Sequence, residues 1–149
     1  MTAAAPKRIF ISYSRKDGAD VAANLRRELE AMGFSIWQDL VALEGGRDWW
    51  SQIEAALKSK VLQHFTLIVT PGALASPVVR REIGLARQEG KSFLPVKGPG
   101  LGDLNKLPRW IGQLIDLDIP EHRRTLARIL EGPSSARRVP MMAPEALSE

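Results

Sequence analysis

The hydrophobic positions of this chain form short consecutive runs that alternate with segments of helical spacing. Residues 9–11 (IFI) form the first run and residues 65–69 (FTLIV) form an equally apolar one. Because consecutive apolar residues point to both faces of a strand, both runs predict strands covered on both sides, which is typical of the centre of a parallel sheet. Three further strands are predicted at 34–37, 93–96 and 114–117. Pro95 cannot donate a ladder hydrogen bond, which favours a more peripheral position for its strand.

Helical patterns lie between these strands. Asp17 is predicted to cap the first helix, which Gly33 ends. Ser76 is predicted to cap a later helix with Pro77 at its first position. The predicted helices follow Asp17 and cover 48–60, 76–89 and 121–130.

Strand and helix alternation predicts an α/β protein with a flavodoxin-like, doubly wound, five-stranded parallel sheet in the order 2-1-3-4-5. Ligands of such sheets bind outside the carboxyl ends of the strands, where the strand order reverses. This point falls between the first and third strands. Tyr13, Ser14 and Arg15 directly follow the first strand, so we expect them at the mouth of a site. The loop at 38–47 also follows a carboxyl end and is expected to close over that site.

Composition narrows the possible chemistry. The 149 residues are 44% hydrophobic and 26% charged, which is ordinary for one soluble domain with a core. The absence of cysteine excludes disulfides and thiolate metal sites, and fits a cytoplasmic protein. His64 and His122 are the only histidines, so neither a zinc site nor a Ser-His-Asp triad is expected. No run is long enough to cross a bilayer, and no membrane partner is expected.

The net charge of +4 raises the alternative of nucleic-acid binding. The basic residues are instead scattered in pairs on or beside predicted helices, without interleaved aromatic residues. We therefore expect no DNA partner. The pairs are Arg26–Arg27, Arg80–Arg81, Arg123–Arg124 and Arg137–Arg138.

Composition also divides the chain. Residues 7–131 are predicted to form one domain, after a disordered N-terminus at 1–6. Residues 132–149 contain several prolines and serines without periodicity, which predicts a linker toward a further module.

Glu82 is the main candidate for chemistry. It lies four residues after Val78, so the two share a helix face. Two readings remain open: a solvated carboxylate beside basic neighbours, or a carboxylate that faces the crevice. A single carboxylate suffices to cleave a bond to a cationic nicotinamide, because this leaving group departs neutral and needs no acid.

Two phosphate-related sites have weaker support from the sequence than the carboxylate of Glu82. The glycines at 98–102 resemble a phosphate loop, but no GK[ST] follows them, and loop breaking explains them better. A phosphate-accepting receiver domain needs carboxylates at the end of the first strand, where Tyr13 and Ser14 stand instead.

Four segments together resemble a bacterial-type Toll/interleukin-1 receptor (TIR) domain: IFISYSRKD, GFSIWQD, LEGGRDWW and TPGALAS with RREI. The resemblance covers 7–130. It implies that the loop at 38–47 is the BB loop, which gates the site and joins neighbouring domains. Enzymatic members cleave NAD+ with the glutamate of a W-x-x-x-E pattern, which falls on Glu82, with Val78 in the place of the tryptophan. Trp49 or Trp50 is available as a replacement aromatic residue.

The resemblance also implies the substrate contacts. Tyr13, Ser14 and Arg15 match the ligand-facing loop after the first strand. Asp39, Leu43 and Glu44 match positions of the BB loop near the substrate, and Val78 lines the same site.

The resemblance therefore predicts an NAD+ glycohydrolase that forms a linear or cyclic product and is activated by self-association. NAD+ is the substrate, and no cofactor or metal is expected. Expected partners are other TIR domains, through the BB loop, and a downstream sensor module in the same chain, with a role in bacterial antiviral defence or cell suicide. The alternative is an adaptor that assembles through TIR–TIR contacts without catalysis.

Overall fold

The computed structural model describes residues 7–38 and 49–131. Within them, four parallel strands form one sheet in the order β2-β1-β3-β4. The strands are β1 (Lys7–Ser12), β2 (Ser35–Gln38), β3 (His64–Val69) and β4 (Ser92–Lys97). The helices are α1 (Ala19–Ala31), α2 (Trp49–Lys58), α3 (Pro71–Ala75), α4 (Pro77–Gln88) and α5 (Pro120–Glu131). This architecture confirms the predicted α/β fold and the positions of β1 and β3 at the centre of the sheet.

Helices cover both faces of the sheet, as the consecutive apolar runs predicted. All six residues of β3 are buried. Successive side chains of a strand point to opposite faces, so β1 contributes to two separate cores. Phe10 packs with residues of α2, α3 and α4, whereas Ile9 and Ile11 pack with residues of α1 and α5.

A row of aromatic rings crosses the sheet on the face covered by α2 and α4. The ring of Phe10 lies 4.7 Å from that of Trp37 and 5.4 Å from that of Phe65, nearly parallel in both pairs. The row continues from Phe65 to Phe93 at 6.3 Å, and from Phe93 to Trp110 at 6.1 Å. Such offset contacts add to the burial energy of the rings. The row joins all four strands beneath α4.

The turn after β3 contains a helix that the sequence analysis did not predict. The hydroxyl of Thr70 accepts a hydrogen bond from the amide of Ala73 at 3.1 Å and caps α3. The next helix, α4, begins as predicted, because the hydroxyl of Ser76 accepts from the amide of Val79 at 3.2 Å.

The predicted fifth strand at 114–117 is wrong within the described residues. Only Ile115 bridges to β4: its amide donates to the carbonyl of Pro95 at 2.8 Å, and its carbonyl accepts from the amide of Lys97 at 2.8 Å. The next amide, that of Asp116, donates to Nδ1 of His122 at 2.9 Å. This local hydrogen bond takes the backbone out of the ladder after one bridge.

The predicted cap at Asp17 is also wrong. Helix α1 begins at Ala19 after Gly18, without a side-chain cap. The amide of Gly18 donates instead to the carbonyl of Ser14 at 2.7 Å. The carboxylate of Asp17 turns away from α1 to contacts described below.

Several predictions concern residues outside the described ranges. These are the N-terminus at 1–6, the linker at 132–149 and residues 39–47 of the predicted loop. Among the helices of the described ranges, none combines the length and the apolar character that a bilayer crossing requires.

His64 lies at the amino end of β3, at the opposite edge of the sheet from the predicted site. It is fully buried, and its Nδ1 lies 2.6 Å from the hydroxyl oxygen of Ser92. Burial, followed by the positive charge of Arg8, lowers the pKa of His64 to about 4, although a backbone hydrogen bond at Leu130 acts in the opposite direction. The folded protein therefore holds this imidazole in its neutral form.

The stability of the fold is expected to fall with decreasing pH because of His64. Above pH 6.5 the imidazole is neutral in the folded and in the unfolded protein. Below that value the unfolded chain binds a proton, whereas the folded chain binds it only near pH 4. One pH unit of this difference corresponds to about 1.4 kcal/mol, so the free energy of unfolding should decrease by about 2 kcal/mol between pH 6.5 and pH 5. Urea unfolding of the wild type and His64→Gln at both pH values measures the difference. Equal pH dependence of the two proteins would contradict this assignment.

Candidate functional site

Glu82 is buried against the carboxyl end of β1. The residue lies in the second turn of α4 with 2% of its surface exposed. Its Oε1 accepts a hydrogen bond of 2.6 Å from the hydroxyl of Ser12, the last residue of β1. Ser12 is two residues from Phe10, so it shares the sheet face covered by α4. The solvated reading of Glu82 is therefore wrong, and its carboxylate faces the sheet.

The three residues after β1 have different surroundings. Tyr13 packs against the core formed with α1 and α5, on the face opposite to that of Ser12. Ser14 is 9% exposed, and its hydroxyl accepts from the amide of Lys16 at 3.3 Å. Arg15 is exposed. Tyr13 therefore lies on the side of the sheet away from Glu82, whereas the hydroxyl of Ser14 lies beside Gly72 of the loop after β3.

The carboxylate of Asp17 joins the loop after β1 to the loop after β3. Its Oδ1 accepts from the hydroxyl of Thr70 at 2.6 Å, and its Oδ2 accepts from the amide of Gly72 at 2.8 Å. We call Asp17, Thr70 and Gly72 the loop latch. A Cβ atom on Gly72 would lie 2.6 Å from Oδ1 of Asp17 and 2.7 Å from the hydroxyl of Ser14. A side chain at this position would therefore displace the Asp17 carboxylate from the loop latch.

Helix α2 places an aromatic ring beside α4. The guanidinium carbon of Arg81 lies 3.9 Å from the ring centroid of Trp50, a cation–π contact. Trp50 also packs against the core that contains Phe10. Val78, where the family pattern has tryptophan, is half-buried one turn before Glu82. An aromatic side chain is therefore present near this end of α4, but it comes from α2.

The remaining predicted site residues, Asp39, Leu43 and Glu44, lie outside the described residues. In the described ranges, no group of three or more histidine, aspartate or glutamate side chains has the arrangement of a metal site.

An open depression of about 420 Å³ lies away from Glu82, at the edge of the sheet near α1 and α5. Its walls include Lys97 with Asp116, an ion pair of 3.6 Å, and Arg123 with Glu28, a second ion pair. These charges neutralise one another, so the depression offers less for catalysis than the buried pair of Ser12 and Glu82.

Ser12, Thr70 and Gly72 were not among the site residues predicted from the sequence. Strand alternation from Phe10 was the available signal for Ser12, because it places that hydroxyl on the face covered by α4. A threonine directly before a proline was the signal for the cap at Thr70. No signal in the sequence connects Asp17 to Thr70 or Gly72, because both lie far from Asp17 in the chain.

Residues 9–130 match the family model of the TIR domain, from β1 to the penultimate residue of α5. The chain belongs to the TIR family. The matched range contains every helix and strand of the described structure except the first two residues of β1 and the last residue of α5, and it includes Ser12, the loop latch and Glu82.

Two relatives of this TIR domain carry the name NAD(+) hydrolase. The chain is 26% identical to NAD(+) hydrolase sarm1 of Drosophila melanogaster over 158 aligned positions, which cover 91% of this chain and 11% of the relative. It is 30% identical to NAD(+) hydrolase SARM1 of Danio rerio over 96 positions, covering 59% of this chain and 13% of the relative. The chain thus spans about an eighth or less of these curated relatives.

Proposed function

We propose that this TIR domain cleaves the glycosidic bond between nicotinamide and ribose in NAD+. The observation that carries the proposal is the buried carboxylate of Glu82, held by Ser12 at the carboxyl edge of a doubly wound sheet. Ligands of this fold class bind at that edge. The names of the two relatives support the same chemistry, although each is matched over only a small part of its length.

The reaction needs one anionic group and no acid. The bond between ribose C1′ and the nicotinamide nitrogen breaks, and its electron pair neutralises the pyridinium. The ribose then carries oxocarbenium-like positive charge, which the carboxylate of Glu82 stabilises electrostatically. Attack at C1′ by water gives ADP-ribose and a proton, whereas attack by the adenine ring gives a cyclic product.

Substrate contacts are part of the same proposal. Ser14, Arg15 and Tyr13 contact the nucleotide from the loop after β1, Tyr13 after turning from its present packing. Asp39, Leu43 and Glu44 contact it from the BB loop, and Val78 from α4. The ring of Trp50, with Arg81 above it, supplies the aromatic surface that Val78 does not provide.

Burial of Glu82 supports activation by self-association. With 2% of the residue exposed, NAD+ reaches the carboxylate only after a neighbouring segment moves. In the proposal, contact with another TIR domain through the BB loop opens the site. A sensor module in the same polypeptide brings the copies together, in bacterial defence or cell suicide.

Nicotinamide release by the wild-type protein tests this function. NAD+ consumption is measured by chromatography at several protein concentrations, with and without a crowding agent. The expected result is a rate per molecule that rises steeply with concentration and with crowding, because active sites open only in the assembly. Absence of nicotinamide from a protein shown by light scattering to be assembled would overturn the catalytic proposal.

A second candidate is a TIR adaptor that assembles without catalysis. Val78 in the place of the family tryptophan favours this candidate, because the site then lacks an aromatic wall from α4. Assembly without NAD+ consumption in the same experiment would identify it.

A further inference from the structure

We propose that Ser12 is a positioning residue for Glu82, and that its hydroxyl sets the orientation in which the carboxylate meets the ribose. This inference rests on the glycohydrolase function proposed above. Ser12 does not contact the reacting atoms in this proposal. It acts through the hydrogen bond of 2.6 Å that it donates to Oε1 of Glu82.

The backbone of Ser12 is a rigid base for that hydrogen bond. Ser12 ends β1, which is paired on both sides within the sheet, and its own register partner is Leu67 of β3. Both Ser12 and Leu67 are fully buried. The hydroxyl therefore has little freedom to leave the carboxylate, unlike a long charged side chain on a loop.

The chemistry of the pair fits positioning. A glutamate side chain has several rotatable bonds, and loss of their freedom has an entropic cost when the reaction must select one orientation. A hydrogen bond from a fixed hydroxyl to a charged oxygen is short and strong, so it selects that orientation before the substrate arrives. It also stabilises the anion, whose burial without a donor would be unfavourable.

The fold supplies a matched control at the other end of the sheet. The hydroxyl of Ser92 lies 2.6 Å from Nδ1 of His64, and both residues are as deeply buried as Ser12. Ser92→Ala therefore removes a buried serine contact of the same length, but at the amino ends of the strands. A purely structural role for both serines predicts similar effects of Ser12→Ala and Ser92→Ala on catalysis.

The kinetic test compares Ser12→Ala, Ser12→Thr and Ser92→Ala under the assembled conditions in which the wild type releases nicotinamide. Ser12→Ala should lower kcat about ten-fold with KM within two-fold, because one hydrogen bond to the carboxylate is lost in the transition state. Ser12→Thr keeps the hydroxyl and should recover most of that loss. Ser92→Ala should leave kcat unchanged. A kcat unchanged in Ser12→Ala would overturn the inference.

A spectroscopic measurement separates this inference from the proposed function. The carboxyl carbon of Glu82, labelled with ¹³C and assigned by its absence in Glu82→Gln, is observed at one fixed pH. Its resonance should move in Ser12→Ala and stay close to the wild-type position in Ser12→Thr and Ser92→Ala. If the resonance moves in Ser12→Ala but the wild-type protein releases no nicotinamide, the glycohydrolase function is rejected and the control of the carboxylate by Ser12 is retained. An unmoved resonance in Ser12→Ala would reject that control, whether or not the protein is active.

Discussion

Replacing Glu82 with glutamine is expected to lower nicotinamide release from NAD+ by about 1000-fold while the fold remains intact. Electrostatic groups aimed at the developing charge commonly contribute a rate factor of this order. Glutamine keeps the size of the side chain, and its amide oxygen still accepts from the hydroxyl of Ser12. The substitution removes only the negative charge that the oxocarbenium-like ribose requires. The measurement is the rate of nicotinamide formation at saturating NAD+ under assembled conditions.

Glu54→Gln is the matched control for this substitution. Glu54 lies on α2 and forms an exposed i,i+4 pair of 3.8 Å with Lys58. Such a pair contributes little to stability, so its loss should change neither the rate nor the thermal midpoint measurably. Circular dichroism and light scattering verify that both variants fold and assemble. Nicotinamide release by a folded, assembled Glu82→Gln at more than a tenth of the wild-type rate would assign the chemistry to another group.

Local patterns were sufficient to predict the core of the fold. The run at 9–11 lies within β1 and the run at 65–69 within β3, because full burial of a strand requires apolar residues on both of its faces. Ser76 and Pro77 predicted the start of α4 for an equally local reason, since a cap satisfies amides within three residues.

The errors arose where a residue outside the predicted element binds the group that the prediction relied on. Residues 114–117 were predicted as a strand, but the amide of Asp116 donates to Nδ1 of His122 and does not join the ladder. Aspartate is a common helix cap, but the carboxylate of Asp17 accepts hydrogen bonds from Thr70 and Gly72 of the loop after β3. Thr70 and Gly72 lie 53 and 55 residues after Asp17, so no local pattern identifies them as its partners.

The position of Glu82 in the candidate site was predictable from the sequence, whereas its neighbours were predicted less well. Helical spacing and the topology of the sheet brought Glu82 to the carboxyl edge. The mouth of the site was predicted less well, because the alternation of a strand continues past its end: Tyr13 packs on the face opposite to Ser12. Ser12, which contacts Glu82, lies one residue before the predicted site residues Tyr13, Ser14 and Arg15.

Removal of the carboxylate in Asp17→Ala is expected to lower the free energy of unfolding by about 2 to 3 kcal/mol. Two donors lose a charged acceptor: the hydroxyl of Thr70, which is fully buried, and the amide of Gly72. Hydrogen bonds to charged groups contribute about 1.5 to 3 kcal/mol each, and water replaces part of the loss. For a protein of this size the thermal midpoint should decrease by about 4 to 10 °C.

Asp20→Ala provides the comparison, because Asp20 is an exposed carboxylate only three residues away, in the first turn of α1. Its loss should change the free energy of unfolding by less than about 0.5 kcal/mol. A double-mutant cycle of Asp17→Ala with Thr70→Val should give a coupling of about 1 kcal/mol or more, since each substitution removes one half of the same hydrogen bond. Additive effects would show that Asp17 stabilises the fold by other means. A real coupling would establish that the loops after β1 and β3 hold each other in place, and with them the edge of the sheet at which Ser12 meets Glu82.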